Sequence, residues 1–347
     1  MSTMQVVHMH AHGGPEVLKV EEIERPEPGP GEALVRVLGV SVNHLDLWVR
    51  RGMPGVKIPF PRIPGSDGTG EVVALGPDTN GPAPGTRVVI EPGMSSGKSP
   101  EDECGMDHLA PDYGIRGEHC DGLDREYVAV ETRYLLPLPE GVDPVQAASV
   151  PLVFVTAYGM LVTRARLQAG ETVLVLGGAS GVGSAAIQIA KERGARVIAT
   201  AGSEEKRRLA AELGAEEVLD HCQEGWGQEV KRWSERRGVD VVFEHVGPAT
   251  WKTSMGVLAR GGRLVTCGGT TGPMVQVALP HLFIKNQSIL GATMGPRTAF
   301  PEIFAKLAAG AYRPVVDRVM ALSEVQEAHR LLEDRAVVGK IVLLPGK

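Results

Sequence analysis

The 347-residue sequence contains few aromatic residues, few cysteines and no long apolar segment. Aromatic residues make up 4% of the chain, and the four cysteines, Cys104, Cys120, Cys222 and Cys267, lie far apart. Such spacing does not predict a disulfide framework, so we expect free thiols in a reducing, cytoplasmic setting. The sequence contains no run of about eighteen apolar residues, so we expect no transmembrane helix. The N-terminal residues also lack the basic and then apolar regions of a signal peptide.

The distribution of charged residues also has no unusual feature. The net charge is −6, and no basic block or basic-aromatic stripe occurs. The sequence therefore predicts neither a nucleic-acid partner nor a membrane partner. A hydrophobic content of 43% allows a large core, and the length suggests about two domains. The many glycines and prolines favour short strands joined by tight turns.

The chain changes its pattern along its length. Up to about residue 130, short apolar runs at 33–40, 70–75, 87–90 and 126–130 alternate with Pro/Gly clusters, which predicts a barrel-like or sandwich domain. From about residue 170, strands alternate with helices, which predicts a doubly wound parallel sheet. The predicted strands are 172–176, 196–200, 218–219, 239–243, 263–267 and 288–290, and the clearest helices are 182–193 and 204–213. The tail contains helices at 302–309 and 323–332 and a last strand, 340–344, which we expect to return to the first domain.

A phosphate-binding turn follows the strand at 172–176. Gly178, Ser180 and Gly183 occupy the three positions of the G-x-G-x-x-G fingerprint, with serine in the middle place. Glycines let the backbone approach a pyrophosphate, and the helix that begins at Gly181 and Val182 offers N–H groups and a positive dipole end. The strand, the turn and the helix together predict a nicotinamide dinucleotide site.

The end of the next strand distinguishes NAD from NADP. An acidic residue there usually accepts a hydrogen bond from the ribose 2′-OH of NAD. Residues 199–203 read Ala-Thr-Ala-Gly-Ser and contain no acid. Ser203 and Lys206 could instead bind a 2′-phosphate, which favours NADPH. Glu204 and Glu205 keep NADH open as the less favoured cofactor.

With these motifs in place, the chain resembles the medium-chain dehydrogenase/reductase family over nearly its whole length. Besides the cofactor turn, the matching stretches are residues 13–18, 41–46, 64–72, 121–122 and 135–139. The resemblance implies an α/β protein with a GroES-like β-rich catalytic domain and a Rossmann doubly wound parallel sheet. The catalytic domain would comprise residues 1–134, completed by 296–347, and the NADP-binding domain residues 135–295.

Zinc enzymes of this family hold a catalytic metal with cysteine, histidine and a third cysteine or acid. The positions that resemble those ligands are Asn43, Ser66 and about Leu152, which are poor ligands or none, so no catalytic zinc is expected. The family's four-cysteine lobe matches residues 91–125, but its cysteine positions also lack thiols; they fall on Ser96, Ser99, Asp102 and about Ala110. A rearranged site made of Cys104, His108, His119 and Cys120 stays open as an alternative.

The residues that remain favour hydride addition to a conjugated acceptor. Leu45 stands where zinc enzymes usually have the hydroxyl that starts a proton relay, so alcohol oxidation is disfavoured. A quinone or α,β-unsaturated carbonyl spreads the incoming charge onto an oxygen and needs less help. The chain thus resembles NADPH:quinone reductases and enone reductases. In this resemblance Asn43 lies at the nicotinamide ribose. His44 and Asp46 are the nearest titratable groups, so we expect His44 to contact the pyrophosphate or donate a proton and Asp46 to orient a neighbour.

The resemblance implies further contacts and an assembly. It aligns Thr156, Val246, Gly268 and Phe283 with the nucleotide and nicotinamide. A homodimer, or a tetramer made of two such dimers, would form through the strand at 287–291. Two other functions stay open: an alcohol dehydrogenase with a rearranged or missing zinc site, and a non-catalytic NADPH-binding protein on the same fold.

Overall fold

The computed structural model describes residues 2–53 and 55–346. Their contacts divide the chain into two compact units, one of Met1–Leu152 with Pro296–Lys347 and one of Val153–Gly295. Within the described residues, no helix has the length and hydrophobicity that a membrane crossing requires.

The first unit is built mainly from β-strands. They are β1 (Thr3–Met9), β2 (Leu18–Glu24), β3 (Glu32–Ser41), β4 (Asp67–Leu75), β5 (Arg87–Ile90), β6 (Gly93–Met94), β7 (Gly114–Ile115), β8 (Tyr127–Glu131), β9 (Leu135–Pro137), β16 (Val316–Ala321) and β17 (Lys340–Leu344). Seven of them form one sheet in the order β16-β17-β3-β4-β5-β9, with β8 also pairing with β3. The hairpins β1-β2 and β6-β7 form separate two-stranded sheets.

The large sheet is antiparallel except where β16 pairs with β17. β3 is long because Ala33, Val35, Val37 and Val40 supply buried branched or small side chains to one core cluster. Gly70 on β4 allows close contact with β3, since a Cβ there would lie 2.2 Å from Cγ1 of Val35. β17, the strand expected to return to the first domain, pairs with the end of β3.

The helices of the first unit are α1 (His44–Arg51), α2 (Pro100–Glu103), α3 (Pro144–Ala147), α10 (Phe300–Ala308) and α11 (Val325–Glu333). Arg50 of α1 is buried and donates to Glu333 and His329 of α11. Burial, followed by the charge of Arg50, lowers the pKa of His329 to about 3, so this imidazole is neutral and accepts from the guanidinium. α1 is thereby fixed to the C-terminal segment of the chain.

The second unit contains the strands β10 (Thr172–Val175), β11 (Arg196–Thr200), β12 (Glu217–Leu219), β13 (Val239–Glu244), β14 (Leu258–Thr266) and β15 (Ser288–Gly291). All neighbouring strands are parallel, in the order β12-β11-β10-β13-β14-β15. Counted within this unit, that order is 3-2-1-4-5-6, which defines a Rossmann sheet. The helices are α4 (Pro151–Tyr158), which enters from the first unit and continues as a π-helical turn, α5 (Gly181–Glu192), α6 (Glu204–Glu212), α7 (Trp226–Trp233), α8 (Pro248–Val257) and α9 (Leu279–Ile284).

The predicted fold class is confirmed, and several predicted strands agree with the structure to within a residue or two. Two differences have a clear cause. β14 begins at Leu258 rather than at 263, because Leu258 also pairs with β13 and residues 259–262 form an irregularity within the strand. Residues 135–152 belong to the first unit, because β9 pairs with β5 and the N–H of Leu152 donates to Asp67 at 2.8 Å.

Candidate functional site

The turn after β10 depends on its glycines. Gly177 has a φ of +59°, a left-handed conformation that glycine adopts without strain. A Cβ at Gly178 would lie 2.9 Å from Cδ1 of Ile187 and 3.0 Å from Cβ of Ala199. A Cβ at Gly183 would lie 2.2 Å from the carbonyl oxygen of Gly177. The turn, α5 and β11 therefore pack closely only because these positions lack side chains.

The N-terminus of α5 begins directly after this turn. Ser180 is the N-cap, and its Oγ accepts from the backbone N–H of Gly183 at 3.0 Å. Gly181 and Val182 are the first two helical residues, so their N–H groups have no partner within the helix and lie at its positive end. Such an arrangement is the kind that binds phosphate groups, and the pyrophosphate site at this turn stays a prediction.

Two residues at the end of β13, which the sequence analysis did not single out, support the turn. Nε2 of His245 donates to the carbonyl oxygen of Leu176 at 2.7 Å, and burial lowers the pKa of His245, which keeps the ring neutral. The buried carboxylate of Glu244 accepts from the N–H groups of Val246 and Gly247 at 2.7 and 3.1 Å. These bonds fix the loop that begins α8.

The segment after β11 contains the residues predicted to select the cofactor. Ser203 is the N-cap of α6, and its Oγ accepts from the N–H of Lys206 at 3.3 Å. His221 and Cys222, which follow β12, lie beside this segment: a Cβ at Gly202 would be 3.5 Å from Nε2 of His221 and 3.3 Å from Sγ of Cys222. The neighbouring acid, Asp220, pairs with Arg207 at 3.0 Å.

The other predicted cofactor residues lie at several places in the second unit. Thr156 on α4 is buried and donates to Sδ of Met294 at 3.5 Å. The carbonyl oxygen of Val246 accepts from Thr271, and that of Gly268 accepts from Thr266 at 3.1 Å. Phe283 is 66% exposed on α9.

In the first unit, Asn43 lies at the centre of a buried polar cluster. Its Nδ2 donates to Asp67 at 2.8 Å and to the carbonyl oxygen of Ser41 at 3.0 Å, while Nζ of Lys340 donates to its Oδ1. Lys340 also donates to the carbonyl oxygen of Val42 at 2.8 Å. Both polar atoms of the Asn43 side chain are therefore used within the protein.

The remaining members of the cluster surround the N-terminus of α1. Asp46 accepts from the backbone N–H of Asn43 at 2.7 Å and from Oγ of Ser66 at 3.3 Å. Asp67 accepts from Oγ of Ser41 at 2.7 Å and from the N–H of Leu152 at 2.8 Å. The three positions that resemble zinc ligands are thus connected by hydrogen bonds to two aspartates.

Burial dominates the electrostatics of this cluster. Burial raises the pKa of Asp46 to about 6, although the Asn43 N–H and the charge of Lys340 act in the opposite direction. The pKa of Asp124 is raised well above its usual range by burial and by the charges of Asp46 and Asp67. Burial lowers the pKa of Lys340, and the two aspartates oppose that shift. One ammonium group thus offsets the negative charge of a group of carboxyls in the core.

His44 is the first residue of α1 and, unlike Asn43 and Asp46, is partly exposed. Leu45 and Trp48 on the same helix are also partly exposed. The predicted catalytic residues therefore lie together at one helix N-terminus, but only His44 combines a titratable side chain with access to solvent.

The lobe at 91–125 is held by ordinary contacts. Arg297 lies 3.4 Å from the carboxylate of Glu91, and its backbone N–H donates to Asp107 at 2.9 Å. Arg116 donates to the carbonyl oxygen of Glu91 at 3.1 Å, and the guanidinium groups of Arg116, Arg133 and Arg297 each lie about 5 Å from the Tyr134 ring. Of the alternative metal ligands, Cys104 is exposed, and Nδ1 of His119 accepts from the N–H of Ile115 at 3.0 Å. In the described part of the chain, that set does not bring three ligand atoms together.

Comparison with known proteins agrees with this architecture. Residues 29–140 match the alcohol dehydrogenase GroES-like domain, and residues 181–309 match the zinc-binding dehydrogenase family. A quinone oxidoreductase from Pseudomonas aeruginosa is 32% identical over 98% of this chain and 99% of its own. A crotonyl-CoA reductase from Streptomyces collinus is 31% identical over 94% of this chain and 82% of its own. A solved structure named NAD-dependent alcohol dehydrogenase is 43% identical, covers 99% of this chain and 100% of its own, and has a TM-score of 0.96.

The chain therefore belongs to the medium-chain dehydrogenase/reductase superfamily and is an oxidoreductase that uses a nicotinamide cofactor. Within the superfamily, its relatives include the quinone oxidoreductase branch. The predicted family and enzyme class are confirmed, which removes the non-catalytic alternative. The roles of individual residues, the cytoplasmic location and the subunit number stay predictions.

Proposed function

We propose that this protein is a zinc-independent, NADPH-dependent reductase of quinones or α,β-unsaturated carbonyls. The observation that carries the proposal is the buried cluster around Asn43. Asn43 and Ser66 offer no thiolate or imidazole, and their polar atoms bond to Lys340, Asp67 and Asp46. Such a set does not fit a tetrahedral catalytic zinc, which needs three protein ligands and an open position.

Without a metal, the polarisation of an alcohol C–O group has no obvious source in this cluster. A conjugated acceptor needs less, because charge that develops on its oxygen is stabilised by hydrogen-bond donors. The bound dinucleotide supplies the hydride, and the chain orients the reactants and excludes water. We assign His44 as the candidate proton donor because it is partly exposed, whereas Asn43 and Asp46 hold the N-terminus of α1 in place.

The test compares two activities on metal-depleted enzyme. After treatment with a strong chelator, metal content is measured by mass spectrometry, and NADPH oxidation is followed with a panel of quinones and enones. We expect full reductase activity without zinc and no oxidation of alcohols. Stoichiometric zinc together with alcohol turnover would overturn the proposal in favour of an alcohol dehydrogenase, the activity named for one of the similar solved structures.

We further propose that Ser203 and Lys206 select NADPH by binding its 2′-phosphate. The segment after β11 contains no acid up to Ser203, and the nearby Asp220 is paired with Arg207. Dissociation constants for NADPH and NADH should be measured for Lys206→Ala and for the exposed-lysine control Lys231→Ala. A loss confined to NADPH binding in Lys206→Ala supports the proposal, and equal affinity of the unmodified enzyme for both cofactors contradicts it.

We also propose a homodimer formed through β15, or a tetramer made of two such dimers. In the described part of the chain, β15 pairs with β14 alone and is an edge strand. Exposed apolar side chains cluster in sequence around it, including Met274, Leu279, Phe283 and Ile289, which are 79%, 64%, 66% and 36% exposed. An open strand edge with apolar neighbours favours pairing with a second copy.

A further inference from the structure

Three histidines alternate near the N-terminus, at positions 8, 10 and 12. Side chains two residues apart in an extended segment lie on the same face, so His8 and His10 share a face. In the antiparallel pair of β1 and β2, Val6 lies opposite Glu21 and His8 opposite Lys19. Glu21 is therefore the diagonal cross-strand neighbour of His8, and its side chain lies on the same face of the hairpin.

The three side chains converge. Nδ1 of His8 lies 2.7 Å from Oε2 of Glu21, and Nε2 of His10 lies 2.8 Å from Oε1. Each carboxylate oxygen thus contacts one ring, and the rings are arranged edge to face with their centres 5.6 Å apart. The three ligand atoms all lie within 4.8 Å of one another, and these side chains form the one such group found among residues 2–53 and 55–346.

The group is open to solvent on one side. The exposed fractions of the side chains are 12% for His8, 37% for Glu21 and 54% for His10. An ionised carboxylate and neutral imidazoles are the forms that bind metal ions.

We propose that His8, His10 and Glu21 bind one Zn²⁺ ion, which links β1 to β2. Imidazole nitrogen and carboxylate oxygen are preferred zinc ligands, and three protein ligands leave the fourth tetrahedral position to water. Ligand atoms about 2.1 Å from zinc lie roughly 3.4 Å apart in a tetrahedron. The nitrogen–oxygen pairs at 2.7 and 2.8 Å therefore need to separate by about 0.6–0.7 Å, and any pair of ligand atoms near the 4.8 Å limit needs to approach. Partly exposed side chains can make both adjustments by rotation.

His12 is outside this group although it continues the alternation. Its Nδ1 lies 3.1 Å from the carbonyl oxygen of Val49, and its ring packs edge to face on Phe60 with centres 4.9 Å apart. A substitution at His12 removes a histidine from the same segment without removing a proposed ligand. It therefore provides a matched control.

A metal in this position would act on the hairpin itself. β1 and β2 form their own two-stranded sheet, and an isolated hairpin is marginally stable. The metal–ligand bonds to His8, His10 and Glu21 would replace the histidine–carboxylate hydrogen bonds and would link the two strands more strongly. The three ligands are distinct from the polar cluster around Asn43, so the site is structural rather than catalytic.

The test uses the full chain without a polyhistidine tag. Zn²⁺ binding is measured by competition with a chromophoric chelator for the unmodified protein and for His10→Gln, Glu21→Gln and His12→Gln. We expect one equivalent bound, an affinity at least about tenfold weaker in His10→Gln and Glu21→Gln, and no change in His12→Gln, because even outer-sphere substitutions cost about 10–100-fold. Zn²⁺ should also slow amide hydrogen exchange in β1 and β2 of the unmodified protein and not of His10→Gln.

A spectroscopic measurement separates this site from the cysteines. Co²⁺ in place of Zn²⁺ should give visible bands of a nitrogen and oxygen site without thiolate-to-cobalt charge transfer. The proposal is overturned if the chain binds no Zn²⁺, if binding is equally strong in His10→Gln and Glu21→Gln, or if a thiolate charge-transfer band accompanies the single bound equivalent.

Discussion

The buried carboxyl group of Asp46 gives a quantitative prediction for the substitution Asp46→Asn. Asparagine retains an oxygen that can accept from the N–H of Asn43 and an amide that can donate to Oγ of Ser66, so the geometry around α1 should persist. The variant loses only the carboxyl group that can release a proton. The two proteins should therefore differ mainly in how their stability depends on pH.

The sign follows from the direction of the shift. The pKa of Asp46 rises from its usual 3.8 to about 6 in the folded protein, so between these values the native state holds a proton that the unfolded state has released. Stability of the unmodified protein therefore falls as the pH rises through this window. At 1.36 kcal/mol per pH unit, the change approaches about 3 kcal/mol and is complete above the folded pKa. The stability of Asp46→Asn relative to the unmodified protein should thus increase by about 2.4 kcal/mol between pH 4 and pH 7, most of the full change.

The assay must report on the first unit alone, because a two-unit chain need not unfold in one step. Trp48 is the one tryptophan of that unit, since the other three, Trp226, Trp233 and Trp251, lie in the second. Urea unfolding followed by ¹⁹F NMR of 5-fluorotryptophan-labelled protein resolves Trp48 from the others. The exposed-acid variant Glu22→Gln serves as the control. Parallel stability curves for Asp46→Asn and the unmodified protein would refute a raised pKa at Asp46.

Three further predictions concern the other parts of the molecule. Ser180→Ala removes the N-cap of α5, so it should cost about 1 kcal/mol of stability and weaken NADPH binding about fivefold in calorimetry. The control Asp143→Ala, which removes the N-cap of α3, should leave the NADPH dissociation constant unchanged. Lys340→Met leaves the buried aspartates without their cation and should destabilise the first unit by about 3–5 kcal/mol in urea unfolding, whereas Lys57→Met at an exposed lysine should not. Equal unfolding midpoints for Lys340→Met and the unmodified protein would contradict a structural role for the ammonium group. Ile289→Lys places a charge on the edge strand β15 and should convert the proposed dimer into monomers in sedimentation velocity, whereas Val319→Lys on the edge strand β16 should not. A monomeric unmodified protein would rule out the dimer.

Local patterns were sufficient for the cofactor half of the protein. The strands at 196–200 and 340–344 and the helix after Gly181 follow from hydrophobic periodicity and from a turn whose glycines are adjacent in sequence. The capping role of Ser180 is equally local, because it joins residues three positions apart. His245 behind the turn was missed, because its contact with Leu176 joins residues 69 positions apart.

The sequence by itself determined that the chain has a Rossmann sheet with a dinucleotide turn, and it predicts that Asn43, Ser66 and Leu152 supply no zinc ligands. Only the tertiary structure decided what those positions do instead. Lys340 reaches Asn43 across 297 residues, and Asp67 joins both to Leu152. No spacing rule relates such distant residues, because their proximity depends on the pairing of β17 with β3 and on burial that excludes water. Burial also sets the proton affinities of Asp46 and Asp124, which no sequence pattern reports.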